Sequence, residues 1–140
     1  MQHIKYVEGI LLERIVEAHH RGVHVRILTG GLHGIPIRDV PETCASLRIL
    51  HRAGIKVHAQ KYPKLHAKLM MADGKRALLG STNLHRHAFE VRRELSVIVD
   101  DKYVISRLNS IFSTDWESSE HFHAPNPFEA IPDDHEAFGL

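Results

Sequence analysis

Residues 65–83 read Leu65-His-Ala-Lys-Leu-Met-Met-Ala-Asp-Gly-Lys-Arg-Ala-Leu-Leu-Gly-Ser-Thr-Asn83. As a pattern this is H-x-K-x4-D-x6-G-S-x-N, with His66, Lys68, Asp73, Gly80, Ser81 and Asn83 at the fixed positions. At ordinary residue frequencies, six fixed identities at fixed spacing arise by chance at about one start position in a hundred million. Leu65 to Ala72 is apolar except at His66 and Lys68, and it is bounded by Pro63 and the turn pair Asp73-Gly74. Those features predict a buried strand. Side chains alternate along a strand, so the imidazole and the ammonium would share a face about 7 Å apart. Packing alone gives no reason to hold that pair on a sheet.

A second apolar run, Ala77 to Leu79, follows the Asp73-Gly74 turn and ends in Gly80-Ser-Thr-Asn83. Paired as a hairpin, the two runs return the Gly-Ser-x-Asn turn to the strand end that carries His66. A hydroxyl, a carboxamide and backbone N–H groups then converge on a histidine and a lysine. Such a set suits an anion with tetrahedral oxygens, phosphate above all. Lys68 would act as a point charge, and Ser81, Asn83 and the Gly80 backbone as neutral donors.

These residues resemble the HKD motif of the phospholipase D superfamily, and Glu94 falls where that family places a carboxylate behind the histidine. The similarity runs from Arg21-Gly22-Val23-x-Val25 to Phe112-x-x-Asp115-Trp116. Asn83-Leu84-x-Arg86 and Arg93-Glu94-Leu95 look most like the second half of cardiolipin synthase-type enzymes. The resemblance implies an α/β fold: a mixed β-sheet flanked by helices in a single-motif domain over residues 1–117, with its first strand short or absent. It also implies a phosphodiesterase or transphosphatidylase in which His66 is the nucleophile and Glu94 orients its ring. Lys68, Ser81 and Asn83 would bind the phosphate, with Arg86 a further candidate contact. Asp73 belongs to the family motif, but its place in the turn assigns it mainly to structure. Neither a metal nor another cofactor is expected, because Lys68 and the imidazoles supply the charge and the acid–base chemistry.

The remainder of the chain fits that frame. Its 140 residues suit one domain, and a formal charge of +1 with 13 histidines gives no strongly basic face for duplex DNA. The lone Cys44 rules out an internal disulfide. With neither a ~20-residue apolar run nor a signal-peptide shape, a cytoplasmic or peripheral membrane location is expected. Val7–His20 has helical spacing, with Leu11, Leu12, Ile15 and Val16 on one stripe. Val23 to Ile27 alternates as a strand, and only Ile4 to Val7 could be a remnant of a strand before the helix. Glu42–Ala53 reads as a helix, Ile55–His58 as a strand, and His33 sits in a loop near the expected ligand end. Glu94 to Val99 is strand-like. Asp100 or Asp101 can cap a helix over Lys102–Glu117 whose stripe is Val104, Leu108, Ile111 and Phe112. From Ser118 to Leu140 the composition loses all period and reads as a poorly packed tail. Its His121, His123 and His135 have no cysteine support for a metal site.

One motif leaves the chemistry incomplete. While His66 attacks phosphorus, a second group must protonate the leaving oxygen. In the family that group is the histidine of a second motif, and none follows the pattern here. Two solutions remain: a homodimer in which each His66 faces its mate, as in the single-motif endonucleases of the superfamily, or a separate N-terminal half that supplies the second motif. A phospholipid is the favoured substrate, with a homodimeric nuclease and a non-catalytic binding half as alternatives.

Overall fold

The computed structural model describes residues 9–32, 35–83, 88 and 90–126. Its elements are helix α1 (Ile10–His20), strand β1 (Arg26–Thr29), α2 (Val40–Arg52), β2 (Lys56–Ala59), β3 (Lys68–Ala72), β4 (Arg76–Gly80), β5 (Ser96–Val99), α3 (Lys102–Ser118) and the two-residue β6 (Glu120–His121). The α/β class is as expected, with two three-stranded sheets. In the mixed sheet β1 runs parallel to β2, and β2 pairs antiparallel with β6; the other sheet is the antiparallel meander β3-β4-β5.

The core lies where α1 and α2 cover the mixed sheet. Leu12, Ile27, Leu47, Leu50, Ile55 and Val57 form one buried cluster, and Leu32, Ile35, Val40 and Cys44 an adjoining one. Each fully buried aliphatic side chain here contributes about 1.5–3 kcal/mol of transfer free energy. Cys44 fills space in the second cluster, and burial pushes its thiol pKa up. Asp101 caps α3, its Oδ1 accepting from the N–H groups of Tyr103 and Val104 at 2.9 and 3.0 Å.

Three expectations are corrected. The strand expected at Leu65 begins only at Lys68, so His66 lies just before the strand and not on it. On α3 the buried residue is Ile105, with Leu108 and Phe112 half-buried, whereas Val104 and Ile111 face outward. The change of composition at Ser118 does not mark the edge of the packed domain. His58 pairs with His121, Ala59 pairs with Glu120, the Phe122 N–H donates to the Val57 carbonyl at 2.9 Å, and Phe122 and Ala124 pack on both core clusters. The candidate first strand at 4–7, His33, Arg86 and His135 lie outside the described residues.

Candidate active site

The β3–β4 hairpin forms as the sequence dictates. Asp73 and Gly74 take positive φ values of 54° and 63°, the conformation an Asp-Gly turn supplies most readily, and the Lys75 N–H closes onto the Ala72 carbonyl at 3.0 Å. The resulting register sets Lys68 opposite Gly80, so the Gly-Ser-x-Asn turn does return to the start of β3. Asp73 sits at the far end of the hairpin from Lys68. On the other side Gly80 pairs with Ser96, and a Cβ at Gly80 would run into Ser96 and the Leu95 carbonyl. Only glycine lets β5 come this close, and that approach brings Glu94 to the turn.

At this corner the Lys68 Nζ lies 3.1 Å from Nδ1 and 3.0 Å from Nε2 of His66, and it donates to the His66 carbonyl at 2.8 Å. The lysine thus contacts both ring nitrogens although His66 is outside the ladder. Ser81 Oγ donates to Glu94 Oε2 at 2.5 Å and accepts from the Leu95 N–H at 3.2 Å, while the Ser81 N–H donates to the Leu95 carbonyl at 3.0 Å. Burial lowers the Lys68 pKa, and the Glu94 carboxylate partly offsets this. The Asn83 Oδ1 is buried without a hydrogen-bond partner among the described residues. A cavity of about 340 Å³ opens beside Lys68 and Glu94, lined also by Thr82, Arg92 and Ser96.

Of the residues singled out in the sequence, His66 and Lys68 are in direct contact, as are Ser81 and Glu94, and the register joins the two pairs at one corner. Sequence reasoning placed none of Arg92, Thr82 and Ser96 at the site, although all three line the cavity and the hydroxyls of Thr82 and Ser96 lie 2.9 Å apart. The signal for Arg92 was its position two residues before Glu94. Among the described residues, no three His, Cys, Asp or Glu side chains gather as a metal ion would require. A compact set of one imidazole, one ammonium, hydroxyls and a carboxylate at a sheet end is suited to hold a phosphate ester next to a nitrogen nucleophile.

The fold and this corner define a class, an α/β domain that gathers an imidazole, an ammonium, hydroxyls and a carboxylate at the end of one hairpin, and comparison with known proteins supplies the family. A family described as the cardiolipin synthase PLD-like domain matches residues 2–116. The chain belongs to this phospholipase D-like family. It is 26% identical over 124 residues to a mitochondrial cardiolipin hydrolase of Xenopus tropicalis, covering 88% of this chain and 54% of that protein. It is 30% identical over 107 residues to cardiolipin synthase A of Pseudomonas aeruginosa, covering 73% of this chain and 21% of that protein. The chain therefore spans about half the length of the first relative and a fifth of the second. Among solved structures, the phospholipase D family member Nuc from Salmonella typhimurium superposes with a TM-score of 0.75 at 18% identity, over 87% of this chain and 79% of that one. At that identity the likeness concerns the fold.

Proposed function

We propose that this chain cleaves or transfers phosphodiesters through a covalent phosphohistidine at His66, with a phospholipid as substrate. The observation that carries the reading is the junction of the His66–Lys68 pair with the Ser81–Glu94 pair at the end of one hairpin. A His66 ring nitrogen attacks phosphorus and forms the N–P bond as the P–O bond to the leaving alcohol breaks. The leaving oxygen takes a proton from a second histidine. That histidine then draws the proton from water or an alcohol, which attacks phosphorus and breaks the N–P bond. Lys68, with Ser81, Asn83 and the Gly80 backbone, stabilises the charge on the nonbridging oxygens of the trigonal bipyramid. Glu94, held by Ser81, is the carboxylate assigned to orienting the ring, and the positive charge at the site makes a metal unnecessary.

The second histidine is assigned to another copy of the chain. Supporting this, Leu95, Val97 and Ile98 are 76%, 51% and 75% exposed along β5, immediately beside Glu94. An apolar sheet edge adjoining an incomplete site suits a self-complementary interface that covers the edge and brings in the mate's His66. The absence of a basic charge balance favours a lipid over a nucleic acid.

The test is turnover of a chromogenic phosphodiester in excess chelator by the purified chain and by His66→Ala, followed by phosphatidylglycerol vesicles against single-stranded DNA. Chelator-resistant activity abolished by His66→Ala is expected, with release from the vesicles. Cleavage of DNA alone would replace the lipid reading by the nuclease one. An inactive but folded wild-type chain would mean that a separate half supplies the second motif, or that the chain only binds.

A further inference from the structure

A second group of titratable side chains lies at the edge of the mixed sheet, where β6 pairs with β2. His121 on β6 stands opposite His58 on β2, and His51, from the last turn of α2, joins them together with His123. Ring centroids are 4.4 Å apart for His121 and His123, 5.0 Å for His51 and His123, and 5.7 Å for both His51 with His121 and His58 with His121. The two His51 contacts are edge-on, at interplanar angles of 78° and 75°, an attractive arrangement while the rings are neutral. His58 is fixed to the body of the domain: it stacks on Trp116 at 3.8 Å, and its Nδ1 donates at 3.0 Å to the Ser119 hydroxyl, whose own proton goes to the Trp116 carbonyl at 2.7 Å.

Among the described residues, none of these four rings is ion-paired with a carboxylate. Glu120, the acid of the same segment, is engaged with Lys61 at 2.9 Å, and Asp115 accepts from Gln60. The charges acting on His121 come from His123, His51, His58 and Lys56, every one of them basic. Two guanidinium groups add to them: Arg26 stands over the Trp116 ring at 5.4 Å, and Arg48 donates to the Ala124 carbonyl at 3.5 Å. Protonation therefore sets like charges about 5 Å apart with no counter-charge between them. His121 and His123 belong to the segment after α3, whereas His51, His58 and Lys56 stay on α2 and β2. That segment is held by a two-residue ladder, the Phe122 N–H bond to Val57 and the half-buried Phe122 and Ala124. It also forms one wall of the larger cavity of the molecule, about 630 Å³, through His121, Phe122, His123 and Pro125.

We propose that residues 120–125 are a pH-sensitive strap, closed on the mixed sheet while the imidazoles are neutral and released as His51, His121 and His123 take up protons. Release parts His121 and His123 from His51, His58 and Lys56, and it opens that wall of the cavity. Burial and the basic neighbours hold the His121 pKa below the ordinary histidine value of about 6.5, so the closed state binds the proton less readily than the open one. Closure is thus fully favoured above about pH 6.5 and weakens as the pH falls toward the folded value. None of these histidines belongs to the corner at His66, so the strap stands apart from the phosphodiesterase reading.

The experiment is native-state hydrogen exchange of the full chain in low urea, with protection factors taken relative to intrinsic exchange at each pH. The reporters are the Phe122 amide, bonded to the Val57 carbonyl on β2, and the Ile55 amide, bonded to the Leu50 carbonyl at 3.0 Å in the core. From about pH 7.5 to about pH 5 the Phe122 protection factor should fall about tenfold, through an opening nearly independent of urea and at a level below that of Ile55 throughout. His51→Gln, which leaves the strap itself unchanged, should flatten this trend, and so should His121→Gln with His123→Gln. All three positions are exposed, so the core is untouched. In His51→Gln the His121 pKa, read from the imidazole C–H signals by NMR, should rise as a like charge is removed. Equal protection and equal urea dependence at Phe122 and Ile55 would show that the segment opens only with the whole domain. That result, a Phe122 protection factor that ignores pH, a trend that survives in both variants, or an unmoved His121 pKa would each overturn the proposal.

Discussion

Truncating Phe122 to alanine tests whether the segment after α3 belongs to the core. The ring packs against both buried clusters, and its N–H is tied to the Val57 carbonyl, yet the residue is half-buried and not fully enclosed. Phe→Ala at a fully buried site costs about 3–5 kcal/mol, so a half-buried ring that bridges two clusters should cost about 2–3 kcal/mol. Unfolding entropy of about 2.1 cal/mol/K per residue over the roughly 110 described residues gives about 0.23 kcal/mol/K, hence a fall in Tm of about 10 °C. Thermal unfolding followed by circular dichroism, with urea titration at constant m-value, reads both quantities. The β2–β6 backbone pairing does not depend on the ring, so unfolding should stay cooperative. A loss below about 0.5 kcal/mol would refute the reasoning and restore the picture of a loosely attached tail.

Gly80→Ala should cost about 1–3 kcal/mol, because the methyl meets the backbone of Leu95 and Ser96, which cannot turn aside, and phosphodiesterase activity should fall with it as Glu94 is pushed from Ser81; an unchanged Tm and rate would refute this. Partial burial, with His123, His51, His58 and Lys56 around it, holds the pKa of His121 below the ordinary histidine value. The unfolded chain therefore binds this proton first, so stability should fall as pH drops below about 6.5 and level off below the folded value. The protection factor of the Phe122 amide, taken relative to intrinsic exchange at each pH, should fall over that window, and His121→Gln should flatten the trend. Lys68, its pKa lowered mainly by burial, should lose its charge at a lower pH than a free lysine; the alkaline limb of activity should appear early, and Lys68→Arg should move it upward. Stability should gain slightly through the same window, since the folded state then no longer holds a disfavoured ammonium. Ile98→Lys, at a 75% exposed position, should leave Tm within about 1 °C yet abolish concentration-dependent association and activity, seen by sedimentation and turnover. A fully active, monomeric wild type would refute it.

Much of the fold was legible in residues whose local chemistry admits one reading. Asp73-Gly74 demands a turn, the apolar runs beside it demand a hairpin, and the register then follows to within a residue. Helix α3 shows the limit of periodicity. Val104, Ile105, Leu108, Ile111 and Phe112 spread over more than one face, and spacing cannot choose between the sets 104-108-111 and 105-108-112. Packing selects the second. The segment after Ser118 was illegible for a different reason. It docks through a two-residue ladder and one aromatic anchor, which need no period, so composition alone makes it look unpacked. The Gln60–Asp115 hydrogen bond gave no sequence signal, because its partners lie 55 residues apart in the chain.

The motif itself was legible because, on the proposed reading, phosphate chemistry constrains residue types more tightly than folding does. Folding would accept almost any small residue at Ser81 and any long one at Lys68. The site instead sets an ammonium against an imidazole and a hydroxyl against a carboxylate, two contacts whose partners lie two and thirteen residues apart. What the motif could not show is how the chain manages β5. A strand with Leu95, Val97 and Ile98 in water is a standing risk of edge pairing, and natural sheets usually blunt such edges with charge or cover them. Here the polar residues of that segment, Glu94 and Ser96, are engaged inward with Ser81 and Thr82, so they are not available to protect the edge. The arrangement that engages Glu94 and Ser96 thus also leaves the apolar strand open. On the proposed reading, one act of pairing removes the exposed edge and provides the missing acid.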